Sequence, residues 1–574
     1  MRTLKKQTDS KTMEKIKDNF FVFDTETTAL EPIPENFVFG VIYGYNFTKV
    51  IHCVEDFKNE FNKKKYEKKF IFAHNAEFDL LTIFGNLYLN VDNSTIFNGR
   101  FISAKYKEVT FADSMNIYDV SVKKIGVAVG LEKLENTKVS SEGLNKNNIT
   151  DEDITYCIRD CEIVYTALLK IFEYTGCIKI TLASLSLYNF RNKHLINHIV
   201  FSELVDEFFE SYYGGRTEAF KIGETTSKVF DINSLYPSVM NNMYFPDVRT
   251  LKKETKVDIK YFNYVLKNFE GCAKITISHA GTYFGYLPYK SEEGKLLFPC
   301  GTFTGCWNFN EIRFAIENKV IQVLSCEYVV YSVRVKSPFT EFVQEHYNRR
   351  INATDELDKW IEKYILNKLY GKFAQRIKHT TTYYDNIPYE LIEELEKTEK
   401  FYQLKTFSET RPDCFIVTEN EKFVNSFFSI PTYSSYITSQ ARIVLLKSLL
   451  QNQNNNVVYC DTDSIFLEGT FEGKVSKELG DFKEEEKTVI QINGLKNYVY
   501  KDSLGIHETI KGISKRSIKI GKNKYSTEKY YKTKEALRRQ KTAGTKFTQV
   551  KELKHEYDKR IVNKNDGTTK PIKL

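Results

Sequence analysis

The sequence has no long hydrophobic run and few cysteines, and each absence excludes a class of protein. No stretch of about 18 apolar residues occurs, so no segment is expected to cross a membrane. The N-terminal residues are basic but lack the apolar segment of a secretory signal. These absences favour a protein that works inside the cell.

Ten cysteines in 574 residues are too sparse for a disulfide scaffold, and no two of them form a C-x-x-C pair. Cys157 and Cys161 stand four residues apart, a spacing that helix packing explains more simply than zinc binding. We therefore expect reduced thiols, most of them buried. Hydrophobic residues make up 41% and charged residues 28% of the chain, which is typical of a globular protein.

The chain is too long for one hydrophobic core and is expected to contain about three or four subdomains. Its net charge of +8 is unevenly distributed, because residues 511–574 contain 20 Lys or Arg and 6 Asp or Glu. This local charge of +14 leaves −6 for the other 510 residues. A basic module beside a more acidic body fits a phosphate backbone. A lysine-rich segment that only keeps the chain soluble explains the same charge about equally well.

Strands and helices alternate over the first 180 residues. The segment FFVFDTE has the pattern of a strand, and residues 151–174 have that of an amphipathic helix. Three acidic residues in the first turn of this helix complement the helix dipole. Helices are also predicted from about Asn352 to Phe373 and at TSQARIVLLKSLL, and KVFDINSLY is predicted to be a strand.

The segment VVYCDTDSIFLEG carries Asp461 and Asp463 between two apolar stretches. This pattern predicts a hairpin with carboxylates at its tip, where both can approach one spot. Carboxylates so close repel each other unless a cation is present, and oxygen ligands select a hard ion such as Mg²⁺. A solvated turn is the alternative, because D-x-D is common in loops. The pattern Y-x-D-T-D-S, which begins at Tyr459, would recur by chance in roughly one of 5,000 chains of this length.

A second predicted strand carries another carboxylate, Asp231, which is followed by the turn residues of S-L-Y-P. A lysine-bearing helix lies between the two segments in the sequence. Two strands tipped with carboxylates, together with such a helix, are what a two-metal phosphoryl-transfer site requires. The C-terminal half is therefore predicted to act on phosphates.

Three segments of this half resemble, in the same order, the polymerase motifs of family B DNA polymerases. DINSLYPSVM resembles motif A, KYILNKLYGKF resembles motif B in the form K-x-x-x-N-x-x-Y-G, and YCDTDS resembles motif C. The resemblance implies that Asp231 and Asp463 hold two catalytic metals, assisted by the carbonyl group of Ile232. Asp461 would support these ligands.

The same motifs imply which residues bind an incoming dNTP. Lys363 and Asn367 lie one helical turn apart, and Lys363 would neutralise the triphosphate as a compact charge. Tyr236 and Tyr370 would line the nucleotide pocket, where a ring under the sugar leaves no room for a 2′-hydroxyl group. The family usually has serine where this chain has Lys368. We expect this position to lie off the nucleotide-facing side of the helix and the activity to be retained.

A second group of acidic residues lies in the N-terminal half. Asp24 and Glu26 end a strand on one side, H-N-A-E-F-D ends at Asp79, and Tyr156 precedes Asp160 by four residues. In this order they resemble the three exonuclease motifs of the DEDD superfamily, in the variant that has tyrosine. The resemblance implies a second two-metal site of four carboxylates, in which the tyrosine orients a water. Each motif taken alone would more simply be an exposed carboxylate.

Further residues are expected to contact DNA by the same resemblance. In the N-terminal half they would grip an unpaired primer end, with an aromatic ring stacked on a base. In the C-terminal half, a Y-x-G-G segment would approach the template and a K-x-Y segment would steady the primer, while T-x-x-A-R, ending at Arg442, is a weaker match. The expected DNA-contacting residues are Thr27, Asn75, Phe78, Ser114, Met115, Tyr212, Gly214, Gly215, Lys496 and Tyr498.

Length and two insertions narrow the resemblance to the protein-primed branch of family B, found in small phages and linear plasmids. Cellular members are generally longer than 574 residues, whereas this branch can be this compact. Residues 251–350 and 376–430 occupy the places of the two insertions of the branch. The first would dock a terminal protein that supplies the priming hydroxyl. The second would wrap DNA and open duplex, which implies processive, strand-displacing synthesis.

The resemblance covers nearly the whole chain and implies α/β and α+β domains. A ribonuclease-H-like 3′–5′ exonuclease domain would precede a right-hand polymerase with palm, fingers and thumb. The expected limits are 1–185 for the exonuclease, 186–250 and 431–514 for the palm, 251–350 for the first insertion, 351–375 for the fingers, 376–430 for the second insertion and 515–574 for the thumb.

The expected activity is DNA-templated DNA synthesis with proofreading, which replicates a phage or linear-plasmid genome in the host cytoplasm. Two Mg²⁺ ions, replaceable by Mn²⁺, would serve each site. The expected partners are primer–template DNA, dNTPs and a terminal protein, with a single-stranded DNA-binding protein as a further candidate. The chain is expected to be a monomer away from membranes. The nearest alternative is a polymerase that extends nucleic-acid primers, and a non-catalytic DNA-binding scaffold is a rival of another class.

Overall fold

The computed structural model describes residues 1–7, 13–85, 95–97, 100–135, 144–377, 380–384, 393, 405–408, 411–419, 424–514, 516–521, 523–539, 541–553 and 557–574. Two seven-stranded sheets organise this part of the chain, one formed by N-terminal residues and one in the centre. Among its helices, none has the length and the hydropathy that a membrane crossing requires.

The N-terminal sheet is mixed and carries helices on both faces. Its middle strand, Phe70–Ala73, pairs in parallel with both neighbours, and the outer pairs are antiparallel. In order across the sheet the strands are Phe47–Ile51, Phe37–Gly44, Phe20–Thr27, Phe70–Ala73, Val109–Asp113, Arg100–Tyr106 and Thr95–Phe97. The helices in chain order are α1 (Val54–Phe61), α2 (Ala76–Phe84), α3 (Val122–Val129), α4 (Asp151–Thr175) and α5 (Leu182–Asn189).

Local sequence sets both ends of helix α4. The Thr150 side chain accepts a hydrogen bond from the Asp153 N–H, while the Asp153 carboxylate accepts one from the Thr150 N–H. Gly176 ends the helix in the left-handed region, with φ 73°. The helix packs against the sheet where Tyr165 stacks on Phe20, with ring centroids 4.6 Å apart. The predicted strand at FFVFDTE and the predicted helix at 151–174 are both confirmed.

The central sheet is antiparallel and joins segments far apart in the sequence. Its strands, in order, are Thr217–Ala219, Val457–Asp461, Ser464–Leu467, Gly223–Ile232, Phe482–Gly494, Asn497–Asp502 and Gly505–Ile510. The strand predicted at KVFDINSLY ends earlier than expected, at Ile232. It ends there because Ser234 takes a left-handed conformation, with φ 51°, and helix α6 (Leu235–Asn242) begins at the next residue.

Residues between the two carboxylate-bearing segments form a separate antiparallel sheet and several helices. The strands of this sheet, in order, are Lys252–Val257, Ile321–Ser332, Glu270–His279 and Gly301–Asn308. The helices are α7 (Ile259–Asn268), α8 (Phe309–Glu317), α9 (Thr340–Asn352), α10 (Glu356–Lys372) and α11 (Pro431–Gln451). The two helices predicted here from the sequence are confirmed as α10 and α11. The expected domain limits at 185/186 and 350/351 fall inside α5 and α9.

The insertion expected at 376–430 is described only in part. Thr380–Tyr384, Arg411–Glu419 and Lys405–Ser408 form a three-stranded antiparallel sheet, and Arg376–Ile377 pairs with Val424–Asn425. The other residues of this insertion, apart from its ends and residue 393, lie outside the described part of the chain.

The basic C-terminal segment contacts both large sheets. Its own sheet consists of Ile518–Gly521, Lys524–Tyr530 and Lys546–Glu552, and helix α12 (Thr533–Arg539) follows the middle strand. Ala536 and Ala543 are buried in the hydrophobic core beneath the N-terminal sheet. Further on, Thr569 N–H donates to the Phe220 carbonyl at 2.9 Å, so the chain returns to the central sheet.

A buried ion cluster fixes this last segment to the central sheet. Glu218 accepts hydrogen bonds from Arg216 Nε at 2.6 Å and from Arg560 Nη1 at 3.2 Å. The three side chains are at most 1% exposed. The carbonyl of Arg216 also accepts the Thr462 N–H at 2.7 Å. The cluster therefore supports the turn of the carboxylate-bearing hairpin.

Replacement of Glu218 by alanine is expected to destabilise the protein by about 3–5 kcal/mol, because it leaves two buried guanidinium groups without their carboxylate. The matched control is Glu207→Ala, which removes a partly exposed ion pair with Lys253 and should cost about 1 kcal/mol or less. Thermal and urea unfolding of both variants measure the difference. Equal losses would contradict the importance of the buried cluster.

Candidate active sites

The two carboxylate-bearing segments of the C-terminal half meet on neighbouring strands of the central sheet. Asp231 pairs with Ser464 in the register, and the Asp463 carbonyl accepts the Ile232 N–H at 2.7 Å. The turn before Asp463 is tight, since Thr462 has φ 62°. The predicted hairpin with carboxylates at its tip is confirmed, and its tip faces the end of the second strand.

Burial raises the pKa values of the two facing carboxyl groups. Burial raises the pKa of Asp463 to about 6, and the negative charge of Asp231 adds to the shift. Burial also raises the pKa of Asp231, although Lys483 opposes this with its Nζ 3.2 Å from Oδ2. Two carboxylates in this situation are stabilised by a cation. No sequence motif marks Lys483; only the strand register brings it to Asp231.

Asp461 has partners of a different kind. Thr217 Oγ1 donates to Asp461 Oδ1 at 3.0 Å, and Lys496 Nζ lies 3.1 Å from Oδ2. The Lys496 N–H also donates to the Tyr459 hydroxyl at 2.9 Å. The Tyr498 ring packs against the Tyr459 ring, with centroids 6.1 Å apart. The K-x-Y and Y-C-D-T-D-S segments therefore form one cluster.

A cleft lined by cations opens beside the strand end that carries Asp231. Its volume is about 290 Å³, and Arg350 Nη1 donates to Ser234 Oγ at 2.7 Å next to it. Burial lowers the pKa of Lys363, and the neighbouring charges of Arg350 and Lys483 lower it further. The lining residues are Asn233, Tyr347, Arg350, Ile351, Glu356, Lys359, Trp360, Lys363 and Lys477. This positive charge fits a polyphosphate.

Two aromatic rings stack near the carboxylates. The Tyr236 and Tyr370 rings have centroids 4.4 Å apart and an interplanar angle of 25°. Asn367 Nδ2 donates to the Lys363 carbonyl at 2.7 Å, so its side chain is held along α10. A Cβ atom on Gly215 would lie 2.9 Å from Thr462 Cγ2 and 3.1 Å from the Tyr236 hydroxyl. The glycine is therefore required for this close approach.

Arg442 fixes the loop that contains the two glycines of Y-x-G-G. It pairs with Glu311 through two hydrogen bonds of 2.8 and 2.9 Å, and both side chains are buried. Its Nη1 donates to the carbonyls of Tyr213 and Gly214 at 2.7 and 2.9 Å. Gly214 itself borders open space, and Tyr212 is half-buried beside it. The weak T-x-x-A-R match thus corresponds to a residue that supports the loop.

The four carboxylates of the N-terminal half come together at the end of the N-terminal sheet. Asp24 and Glu26 lie on Phe20–Thr27, Asp79 lies on α2, and Asp160 lies on α4. Ligand atoms of Asp24, Glu26 and Cys157 lie within 4.8 Å of one another. Thr25 donates to Asp79 Oδ1 from its N–H at 3.0 Å and from its hydroxyl at 2.7 Å.

Repulsion is stronger here than at the first site. Burial raises the pKa of Asp24 to about 7, and the charge of Asp160 contributes to the shift. Burial, reinforced by Asp24, also raises the pKa values of Glu26 and Asp79 well above their usual range. Lys133, which no motif identifies in the sequence, binds Asp160 and lies over the Tyr156 ring, 4.5 Å from its centroid.

The residues expected to grip single-stranded DNA lie beside these carboxylates. Asp113 joins two of the segments, because its Oδ1 accepts the N–H groups of Asn75 at 3.0 Å and Met115 at 2.9 Å. Ser114 is buried and bonds His74, whereas Thr27 bonds the nearby Ala29 carbonyl. The Phe78 ring meets Tyr530 of the C-terminal segment edge to face, with centroids 5.9 Å apart. Asp113 and Tyr530 were not predicted.

The donor groups at both sites fit hard divalent cations. Each site gathers carboxylate oxygens whose pKa values are raised by burial and by one another. In the described part of the chain, Asp160 Oδ1 is buried without a hydrogen-bond partner. Oxygen atoms of this kind favour Mg²⁺ or Mn²⁺ over softer metals.

Two clusters of carboxylates, one of them beside a cationic cleft, are typical of proteins that act on phosphate groups with the help of metal ions. A family model described as DNA polymerase type B, organellar and viral, matches residues 128–475. This match covers more than half of the chain, and the chain belongs to this family. The family is generally dependent on divalent metals.

Similar proteins include polymerases of fungi and of phages. A probable DNA polymerase of Podospora anserina is 26% identical over 67% of this chain and 37% of its own length. The DNA-directed DNA polymerase of Enterobacteria phage PRD1 is 24% identical over 78% of this chain and 75% of its own length. The DNA polymerase of Bacillus phage phi29 is 27% identical over 58% and 56%, respectively. The chain thus spans less than half the length of the Podospora relative and of one from Neurospora intermedia, which it covers to 46%.

The fold is that of the phi29 polymerase. A structure of that enzyme with primer-template DNA and incoming nucleotide substrates matches with a TM-score of 0.69 and 18% identity, over 94% of this chain and 99% of the other. A structure of the same enzyme with single-stranded DNA matches with a TM-score of 0.64 and 19% identity, over 86% and 92%. The expected fold, an exonuclease domain with palm, fingers and thumb, is confirmed.

Divalent cations are expected to stabilise the N-terminal site more at about pH 8 than at about pH 6. The folded state raises the pKa of Asp24 to about 7, so without metal the folded protein binds more protons than the unfolded chain and loses stability as pH rises toward 7. Above that pH the carboxylates are ionised and available to a cation. Melting temperatures with EDTA and with excess Mg²⁺, in an Asp463→Ala background, measure the effect. An additional Asp24→Asn change should weaken both the stabilisation by Mg²⁺ and its pH dependence, while the raised pKa values of Glu26 and Asp79 leave part of that dependence in place. A pH-independent shift in the Asp463→Ala protein would contradict the assignment.

Proposed function

We propose that this chain is a DNA-templated DNA polymerase with a 3′–5′ proofreading exonuclease. One observation carries the proposal: Asp231 and Asp463 face each other on paired strands beside a cleft lined by Arg350 and Lys363. Family membership supports the same activity. The titles of the phi29 structures name primer-template DNA, single-stranded DNA and incoming nucleotides as that enzyme's ligands. We extend these substrate classes to this chain.

At the polymerase site, the residues of this chain bind and orient the reactants. Lys363, Arg350 and Lys359 neutralise the triphosphate of an incoming dNTP in the cleft. The stacked rings of Tyr236 and Tyr370 form a flat wall under the sugar and base, which excludes a 2′-hydroxyl group. Asn367, one helical turn after Lys363 on α10, contacts the same dNTP. The primer 3′-hydroxyl then faces the α-phosphate in line.

Asp231 and Asp463, with the Ile232 carbonyl, would hold two Mg²⁺ ions, and Mn²⁺ could replace them. Bound there, the metals would stabilise the charge that develops on the phosphate oxygens. Asp461 pairs with Lys496 and so holds the hairpin against the K-x-Y segment, which fixes the position of Asp463 at the tip of the hairpin. Lys496 and Tyr498 then contact the primer strand near its end.

At the exonuclease site, Asp24, Glu26, Asp79 and Asp160 would hold a second pair of metals, which activate water for phosphodiester hydrolysis. Tyr156 orients this water, and Lys133 holds both the tyrosine and Asp160. Thr27, Asn75, Phe78, Ser114 and Met115 grip the unpaired end, on the surface where Tyr530 meets Phe78. Tyr212, Gly214 and Gly215 guide the template between the two sites.

The domain limits given above belong to this proposal, as does the mode of priming. We propose that a terminal protein supplies the first hydroxyl and docks on the sheet within 251–350. The support is that this insertion folds as a sheet of its own, with Tyr261 and Tyr264 exposed on α7. A polymerase that uses nucleic-acid primers is the second candidate. We also propose that the chain acts as a monomer in a host cytoplasm and that a single-stranded DNA-binding protein assists it.

Single-site variants are expected to separate the two activities. Asp463→Ala should lower dNTP incorporation by at least about 1,000-fold, because a ligand of both metals is lost, and should spare degradation of single-stranded DNA. Asp24→Ala combined with Asp79→Ala should do the reverse. Primer extension and release of labelled 3′ nucleotides measure the two activities. Loss of both activities in Asp463→Ala would show that the sites are assigned to the wrong halves.

Extension of a primed circular template tests processivity and strand displacement together. The isolated protein should make products several template lengths long, since the insertion at 376–430 is proposed to open duplex ahead of the site. Products that stop after one circle would contradict strand displacement. A variant with a deletion within 376–430 should make products that stop after one circle. Incorporation onto a protein hydroxyl requires the partner and distinguishes protein priming from the second candidate.

A further inference from the structure

A buried polar network lies where the N-terminal part of the chain meets helix α10. The Tyr174 hydroxyl, near the end of α4, donates to Glu362 Oε1 on α10 at 2.6 Å. His346 Nδ1, on α9, lies 2.6 Å from Glu362 Oε2, and its Nε2 lies 2.9 Å from Asn189 Oδ1. Arg349 Nη1 donates to the Tyr174 hydroxyl at 3.2 Å. One carboxylate thus joins three helices.

The centre of this network is buried, whereas Tyr174 is half-buried and Arg349 is exposed at its edge. His346 and Asn189 are fully buried, and Glu362 is 4% exposed. The burial of Tyr174 and the adjacent Glu362 charge both raise the pKa of the tyrosine, so it stays a hydroxyl that donates. A buried carboxylate that loses a donor has no water to replace it. Its position therefore depends on these partners.

The network is adjacent to the cations of the cleft along both helices. Lys363 directly follows Glu362, and Arg350 follows His346 by four residues on α9. The bond between His346 and Glu362 therefore fixes α9 against α10 at the level where Arg350 and Lys363 face the same space. The two cations repel each other, which lowers the pKa of Lys363. Their separation needs such a restraint.

A second set of contacts joins α10 to α4 and α5. Lys170, one turn before Tyr174 on α4, pairs with Asp355 at 2.7 Å and with Asp358 at 2.9 Å at the start of α10. Ser186 Oγ, on α5, donates to the Ile365 carbonyl at 2.6 Å. Helix α4 also carries Tyr156 and Asp160 at its other end. It is thus a rigid link from the exonuclease carboxylates to α10.

We propose that Tyr174, His346 and Glu362 are positioning residues for nucleotide binding, which hold Lys363 and Arg350 at the separation that a dNTP triphosphate requires. Tyr174 lies in the exonuclease half, so the polymerase cleft depends on a hydroxyl from that half. The inference rests on the proposed function, because it assigns the cleft to the triphosphate. None of the three residues touches the nucleotide itself.

The test is steady-state incorporation by the full chain on a primed template, with kcat and KM for dNTP measured separately. Tyr174→Phe removes one donor to Glu362 and should raise KM about five- to tenfold, with kcat changed by less than about twofold. The matched control is Tyr165→Phe on the same helix, which loses a hydrogen bond to the Lys17 carbonyl inside the N-terminal part. The control should leave both constants unchanged. Degradation of single-stranded DNA should be equal in all three proteins.

Glu362 provides a second measurement. Glu362→Ala should raise KM more than Tyr174→Phe does, and Glu362→Gln, which keeps an acceptor for the tyrosine, should restore most of the affinity. Unchanged KM in both Tyr174→Phe and Glu362→Ala would overturn the proposal, as would an equal rise in Tyr165→Phe. If Glu362→Ala does not fold, Tyr174→Phe and Glu362→Gln still decide it. The Lys363→Ala variant distinguishes failure of this inference from failure of the proposed function. If Lys363→Ala raises KM for dNTP while Tyr174→Phe leaves KM unchanged, only the positioning role is refuted. If Lys363→Ala also leaves KM unchanged, the assignment of the cleft to the triphosphate is refuted as well.

Discussion

Ionised carboxylates repel one another strongly when they are removed from water, and this chain gathers them at two places. At each place burial raises pKa values, and the backbone holds the acidic groups together despite the repulsion. Strand pairing does this for Asp231 and Asp463, and the Thr25 hydrogen bonds do it for Asp79. Lysines bind carboxylates at both sites: Lys483 and Lys496 at the first, and Lys133 at the second. A bound cation would therefore relieve part of this repulsion at either site.

The parts of the sites that the sequence predicts are those coded by short, continuous segments. Asp461 and Asp463 lie in one hairpin, which its turn residues identify. Helix α4 is predicted by the acidic residues of its first turn and by the spacing of its apolar residues. The end of the strand at Ile232 was missed, because a left-handed serine is not evident from residue type. The placement of catalytic and binding roles stays a prediction, since geometry alone does not test a role.

Other residues could not be found from sequence because packing alone brings them to the sites. Lys483 reaches Asp231 through the register of two strands, although the two residues are 252 positions apart in the chain. Arg350 joins the predicted Lys363 in one cleft because α9 and α10 pack against each other, and Lys133 lies in a segment with no pattern of its own. A lysine or arginine on a long side chain has no recognisable sequence pattern around it, whereas a carboxylate in a tight turn is marked by the turn residues beside it. This asymmetry explains why the acids were predicted from the sequence, whereas Lys483, Arg350 and Lys133 were not.

The ion cluster of Arg216, Glu218 and Arg560 has a consequence for the order in which the protein forms during synthesis. The strands of the N-terminal sheet all lie within residues 20–113, so this sheet can assemble early on the ribosome. The central sheet needs strands up to Ile510 and a buried arginine at position 560. A nascent chain therefore carries all the strands of the N-terminal sheet for most of its synthesis, while the hairpin with Asp463 lacks its support.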